Sequence, residues 1–187
     1  MRILSLLLLS LSITHAETLW PEFRGPTAQG HSTATGLPTT WSTSKGVKWR
    51  TEIEGLGWSS PIVANGKVFV TNGVPEAANA ARLEVIAFDA ATGTELWKTQ
   101  VFHAKNPELL RMHKENSHAS PTPFYEDGLI YAHYSQHGTA CLTEEGKMVW
   151  KVNEHPYSPV HGTGGSPVIV DNLLIYHADG ASEPAVI

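Results

Sequence analysis

Three tryptophans recur in this chain, each followed by a basic residue: Val47-Lys48-Trp49-Arg50, Glu95-Leu96-Trp97-Lys98 and Met148-Val149-Trp150-Lys151. The spacing is 48 residues from Trp49 to Trp97 and 53 from Trp97 to Trp150. A second landmark falls between them. Ser60-Pro61, Ser120-Pro121 and Ser166-Pro167 each lead a short apolar run, a turn and a second apolar run. The turns are Asn65-Gly66, Asp127-Gly128 and Asp171-Asn172. Asn-Gly and Asp-Gly between apolar runs are strong hairpin signals, because both central positions favour φ > 0. Proline suits the start of a strand, where its missing N–H costs little.

Each repeat therefore reads as four antiparallel strands. Strand A follows Ser-Pro, B follows the turn, C ends near Ile86-Ala87-Phe88-Asp89, and D carries the tryptophan. Runs such as Val68-Phe69-Val70 are apolar on both faces, so they predict sheets covered on both sides. Four-stranded units at this period predict an all-β fold, a β-propeller of four-stranded antiparallel blades. A β-sandwich explains the spacing poorly. Residues 47–187 form the repeat region, 17–46 a leading segment and 1–16 a separate leader.

The stretch from Ala87 to Lys98 lies between strands C and D. The Asp89 carboxylate can accept backbone N–H bonds from Ala91 or Thr92, and Gly93 allows a left-handed turn. Trp97 then faces the neighbouring sheet, where burying ~200 Å² of it contributes at most about 5 kcal/mol. An ungapped alignment with the next copy keeps Ala140, Gly146 and Trp150. It sets Leu142 in place of Asp89 and Glu145 in place of Thr92. A catalytic acid does not survive replacement by leucine, so these residues shape the chain.

Ala87, Asp89, Thr92, Gly93 and Trp97 resemble the tryptophan-docking motif of the pyrroloquinoline-quinone (PQQ)-like propeller repeat. Leu19–Pro26, Thr35–Pro38 and Val47–Arg50, around Trp49, resemble the N-terminal segment of secreted bacterial members. The resemblance covers residues 19–187 and implies seven or eight blades. At roughly 48 residues each, seven blades need about 340 residues. About two and a half to three blades are expected here, in an N-terminal fragment, with the strand around Trp49 completing a last blade. The resemblance also makes PQQ and Ca²⁺ possible cofactors. The quinoprotein dehydrogenases of this fold often use a vicinal disulfide, and Cys141 is the only cysteine.

The leader begins Met1-Arg2, continues through the apolar run Ile3–Ile13 and ends Thr14-His15-Ala16. It predicts a cleavable secretory signal, cut after Ala16, and a periplasmic or extracellular location. No cysteine lies near that point, so no lipid anchor is expected there, nor a membrane span after cleavage. The formal net charge is −5 with no basic run, which argues against nucleic acid as a partner.

Eight of the ten histidines fall in or beside the D–A and B–C connections, on one face: His103, His113, His118, His133, His137, His155, His161 and His177. Long connections hold more polar residues, which accounts for much of this. His133, His161 and His177, with Trp58 and His118 just before strand A, are the candidates for lining a ligand funnel. His133 and His137 alone make a weak metal signal, because they do not share a helix. Asn106, Pro107, Leu109, Leu110 and Met112 predict a short helix inserted over the same face.

No residue earns a catalytic or metal-ligating role on this reading. The function expected is a non-catalytic scaffold outside the cytoplasm, offering a face to a protein or a glycan. Its repeat type is similar to that of the propeller lipoproteins of outer-membrane-protein assembly. The alternative is a PQQ- and Ca²⁺-dependent alcohol or sugar dehydrogenase. A hydrolase is weaker still, since no Ser/His/Asp spacing is interpretable.

Overall fold

The computed structural model describes residues 19–76, 80–105, 113–155, 157–162, 164–180 and 184–187. The leader lies outside them, as does Asn106–Met112, the greater part of the stretch Asn106–Asn116 where the inserted helix is expected. Residues His113–Asn116 form a turn, closed by the Asn116 N–H donating to the His113 carbonyl at 2.9 Å.

The chain is built from antiparallel sheets. The first comprises β1 (Ile62–Ala64), β2 (Lys67–Glu76), β3 (Ala80–Asp89) and β4 (Glu95–Ala104), hydrogen-bonded in that order. The second repeats the order with β5 (Phe124–Glu126), β6 (Leu129–His133), β7 (Thr139–Thr143) and β8 (Met148–Val152). The third repeat supplies the hairpin β9 (Val168–Val170) and β10 (Leu173–Ile175), then the pair β11 (His177–Ala178) and β12 (Ala185–Val186). The expected turns join β1 to β2 and β5 to β6, with φ of +48° at Asn65, +69° at Gly66, +46° at Asp127 and +81° at Gly128. These are two propeller blades and part of a third.

The main core lies between the two complete sheets. Ile62, Phe69, Leu83 and Val85 of the first meet Tyr125, Ile130 and Leu142 of the second, all buried. The Phe69 ring stacks on Tyr125 with centroids 6.1 Å apart, and Phe102 meets Tyr134 edge-on at 5.9 Å. A polar cluster closes one end of this interface. Lys67 Nζ lies 2.9 Å from Glu144 Oε1, and Asn65 Nδ2 donates to Tyr125 Oη at 2.6 Å and to Glu144 Oε2 at 2.8 Å.

Each docked tryptophan sits on the turn of the following sheet. Trp97 Nε1–H donates to the Glu144 carbonyl at 3.0 Å, and its ring lies where a Cβ on Gly146 would stand, 2.6 Å away. Trp49 repeats this on the first sheet: Nε1–H donates to the Ala90 carbonyl at 3.0 Å and the ring lies 2.5 Å from a Cβ built on Gly93. Thr51 and Thr99, two residues on, donate their hydroxyls to the carbonyls of Gly93 and Gly146. Trp49 docks without belonging to a strand, so the extra strand D expected around it is not formed among the described residues. Trp150 has no such turn beneath it among the described residues and is 40% exposed.

The ungapped alignment of the two turns is displaced by one residue. Trp97 pairs with Ala87, but Trp150 pairs with Cys141. Ala90 N–H donates to Gly66 as Glu144 N–H donates to Gly128, so Asp89 corresponds to Thr143 and Phe88 to Leu142. The second turn is one residue shorter, and Leu142 is core rather than a substituted acid. Ala140 then corresponds to Ile86.

The leading segment is stitched onto both sheets. Trp20 and Val63 exchange backbone hydrogen bonds of 2.7 and 2.9 Å, and the Tyr125 N–H donates to the Pro21 carbonyl at 2.8 Å. The first strands are also tied across repeats: Ser60 N–H donates to Thr122 Oγ1, and Thr122 N–H to Ser166 Oγ, both at 3.0 Å.

Candidate functional site

His133 ends β6 and His177 opens β11, at equivalent places in their repeats; Thr71 holds that place in the first sheet. The fold brings both histidines to one region. His133 is buried, with Nδ1 2.8 Å from Thr139 Oγ1 and Nε2 3.1 Å from Tyr157 Oη. Its ring also meets Tyr176 at 4.2 Å between centroids. Tyr157 Oη donates to Ser135 Oγ at 2.7 Å. With Tyr157 donating onward, its oxygen accepts from Nε2–H of His133, and Nδ1 accepts from Thr139. Burial, with a smaller contribution from His177, pushes the His133 imidazole down to about 4.

Ser135 and Tyr157 open onto a cavity of about 350 Å³ that His161, His177, Asp179, Val160 and Gly164 also line. His161 meets His113 edge-on at 5.6 Å, and His177 Nδ1 lies 2.7 Å from Asp179 Oδ2. Three of the candidates, His133, His161 and His177, are thus gathered at or beside one cavity.

His118 lies elsewhere, edge-on to His137 at 5.5 Å. Among the described residues, Nδ1 of His118 and Nε2 of His137 are buried without a hydrogen-bond partner. Burial and then His118 push His137 down to about 4, and burial lowers His118 as well. His103 lies within β4 rather than in the connection after it, 2.7 Å from Glu76 Oε2.

Trp58, 52% exposed, lines a second cavity of about 480 Å³ with Glu22, Phe23, Arg24, Thr122 and Ser166, which meets the first at Gly164. Of Trp58, His118 and Gly164, equivalent by sequence, Trp58 and Gly164 line this cavity, whereas His118 packs on His137. The sequence reading missed Tyr157, Ser135 and Glu22. No spacing marks them, since two sit in irregular connections and Ser135 in the 3₁₀ turn Ser135–His137.

The turn residues have structural partners. Asp89 Oδ1 accepts from Ala91 N–H at 3.0 Å, Thr92 N–H at 2.7 Å and Thr92 Oγ1 at 2.8 Å. These bonds, the Thr92 hydroxyl first, hold its carboxyl below the usual range. In the second turn the Thr143 hydroxyl accepts the Glu145 N–H at 3.3 Å.

The family described as outer membrane protein assembly factor BamB matches residues 41–182. The chain belongs to this PQQ-like propeller family. A solved structure of BamB from Moraxella catarrhalis is similar over 75% of this chain and 36% of the other, at 16% identity and a TM-score of 0.47. The chain thus spans about a third of that protein's length. None of the curated proteins matches it.

For a PQQ-like propeller the cofactor question is one of donor chemistry. Ca²⁺ takes six to eight oxygen ligands, mostly carboxylate and carbonyl. The cavity at His177 offers imidazoles and the single carboxylate of Asp179, which is already engaged by His177. No group of three or more His, Cys, Asp or Glu among the described residues could hold a metal ion. The donors do not suit Ca²⁺. Ser135, His177 and Asp179 share the cavity, yet Ser135 Oγ is bonded by Tyr157 and Nε2 of His177 packs against Gly165, so no serine–histidine pair forms. No helix among the described residues is long and apolar enough to cross a membrane.

Proposed function

We propose that this propeller is a non-catalytic scaffold outside the cytoplasm, holding a protein partner on the face that carries His133, His161 and His177. The observation that carries the reading is the use made of its polar side chains. Thr139, His133, Tyr157 and Ser135 bond to one another in a hydrogen-bonded chain, which fixes the shape of a surface. A general base or nucleophile needs a free partner poised for substrate. The exposed rim of Val160, His161 and Asp179 then offers contact area around a concave centre. The family's description supplies the class of partner: a component of outer-membrane protein assembly.

The test is co-purification from the periplasm and outer membrane of cells expressing a tagged chain. Recovery with the outer-membrane assembly machinery is expected, weakened by Val160→Asp or His161→Ala at unchanged melting temperature. Recovery alone, or equal recovery by those variants, would sink the reading. Titration with PQQ and Ca²⁺ checks the dehydrogenase alternative, and saturable binding with dye-linked alcohol oxidation would replace the scaffold with an enzyme. Fractionation and N-terminal sequencing test export, with a mature start at Glu17 expected.

A further inference from the structure

The cavity beside Trp58 adjoins the histidine cavity at Gly164, but its chemistry is distinct. Trp58 is 52% and Phe23 48% exposed, both large apolar side chains that gain nothing by standing in water. Glu22 is half-buried at the same cavity, and burial raises its carboxyl. Its side chain has no hydrogen-bond or ion-pair partner among the described residues. Partly desolvating a carboxylate without pairing it costs free energy, unless a ligand supplies the donors. Arg24 reaches the same space, its guanidinium carbon 5.5 Å from the Phe23 ring centre.

The hydroxyls complete the set. Thr122 Oγ1 accepts the Ser60 N–H, and Ser166 Oγ accepts the Thr122 N–H. Each keeps its own hydroxyl proton to donate and a lone pair to spare. The site thus mixes one acid, one guanidinium, hydroxyls of both polarities and a flat indole. An anionic ligand meets Glu22, and a cationic one meets Arg24. A neutral ligand rich in hydroxyls can donate to Glu22, accept from Arg24 and lay its apolar C–H face on Trp58. The volume of about 480 Å³ lies within the range of small-ligand pockets.

The geometry points to a saccharide-binding site at this cavity, taking a short neutral sugar stacked on Trp58 with its hydroxyls bonded to Glu22. The leading segment contributes Glu22 and Arg24, and the first strands contribute the hydroxyls, so the site exists only because that segment is stitched to both sheets. The residues that carry this inference, Trp58, Glu22, Arg24, Thr122 and Ser166, do not line the histidine cavity, which this one meets only at Gly164.

Titration of the purified chain with cellobiose, N,N′-diacetylchitobiose and lactose, followed by tryptophan fluorescence and calorimetry, tests it. Saturable binding of at least one is expected. Trp58→Ala should weaken it by at least about tenfold, and Glu22→Gln by a smaller factor, since the amide oxygen still accepts. Melting temperatures of both variants should match the parent, and Glu22→Gln carries the test should Trp58→Ala fail to fold. Absence of saturable binding by all three sugars overturns the inference. So does binding that neither substitution weakens, or tighter binding of spermidine or of a sulfated saccharide.

Discussion

The turns Asp89–Thr94 and Thr143–Lys147 close equivalent strand pairs in the two complete sheets, and they do so differently. The first is one residue longer and is organised by a carboxylate that accepts three hydrogen bonds. The second relies on a threonine hydroxyl accepting one at 3.3 Å. Both nevertheless place a glycine with positive φ, +74° at Gly93 and +81° at Gly146, directly under a tryptophan from the preceding segment. What the fold requires is a backbone bare enough for an indole to lie on it. The acid is one of several ways to arrange that. The sheets differ at their other end too: Thr71 in the first donates to the carbonyls of Ala119 and Pro121, whereas the second buries His133 at the same place.

The largest expected effect follows from that second difference. His133 and His137 are pushed down to about 4. A base with a lowered folded-state pKa binds its proton more readily when unfolded, near 6.5. Its contribution is fully present above that value and is lost as pH falls toward 4. Each imidazole then withdraws on the order of 2–3 kcal/mol. Hydrogen exchange should show β6 and β7 losing protection between pH 6.5 and 4 while β2 and β3 keep theirs. Uniform loss in both sheets would erase the contrast. His137→Gln should flatten part of the acid limb.

Trp97→Ala removes the indole from the seam between the sheets and should cost about 3–5 kcal/mol in chemical denaturation. Gly93→Ala and Gly146→Ala each drive a Cβ into a ring and strain a positive φ. They should cost about 2–4 kcal/mol, by similar amounts. A clear inequality between them would mean that the two docks are not the same device. Smallest is the acid itself. Asp89→Ala should lower the melting temperature less than either glycine variant, and Thr143→Ala less again. The lowered Asp89 carboxyl stabilises the fold above its unfolded value, near 4, and that contribution is lost only below it, after the histidines have titrated.

Much of this was legible in the chain. Asn65-Gly66 and Asp127-Gly128 announce their hairpins because the backbone conformation they favour is local. The period of Trp49, Trp97 and Trp150 announces stacked four-stranded sheets. The one-residue gap before Gly146 was not legible, because Ala140 and Leu142 match Ala87 and Asp89 by position alone. Only the ladder shows Cys141 opposite Trp150. The histidines were readable as a shared face. Their fates were not: His133 and His177 converge, while His118 pairs with His137.

The sequence by itself determined the turns, the strand order and the repeat, because hairpin register and side-chain alternation are set within a few residues of each other. Only the tertiary structure decided which indole lies on which glycine, which imidazole is buried, and that Glu22 and Trp58 line one cavity. Those are contacts between segments tens of residues apart. Their energies depend on close packing and desolvation, which no local pattern encodes.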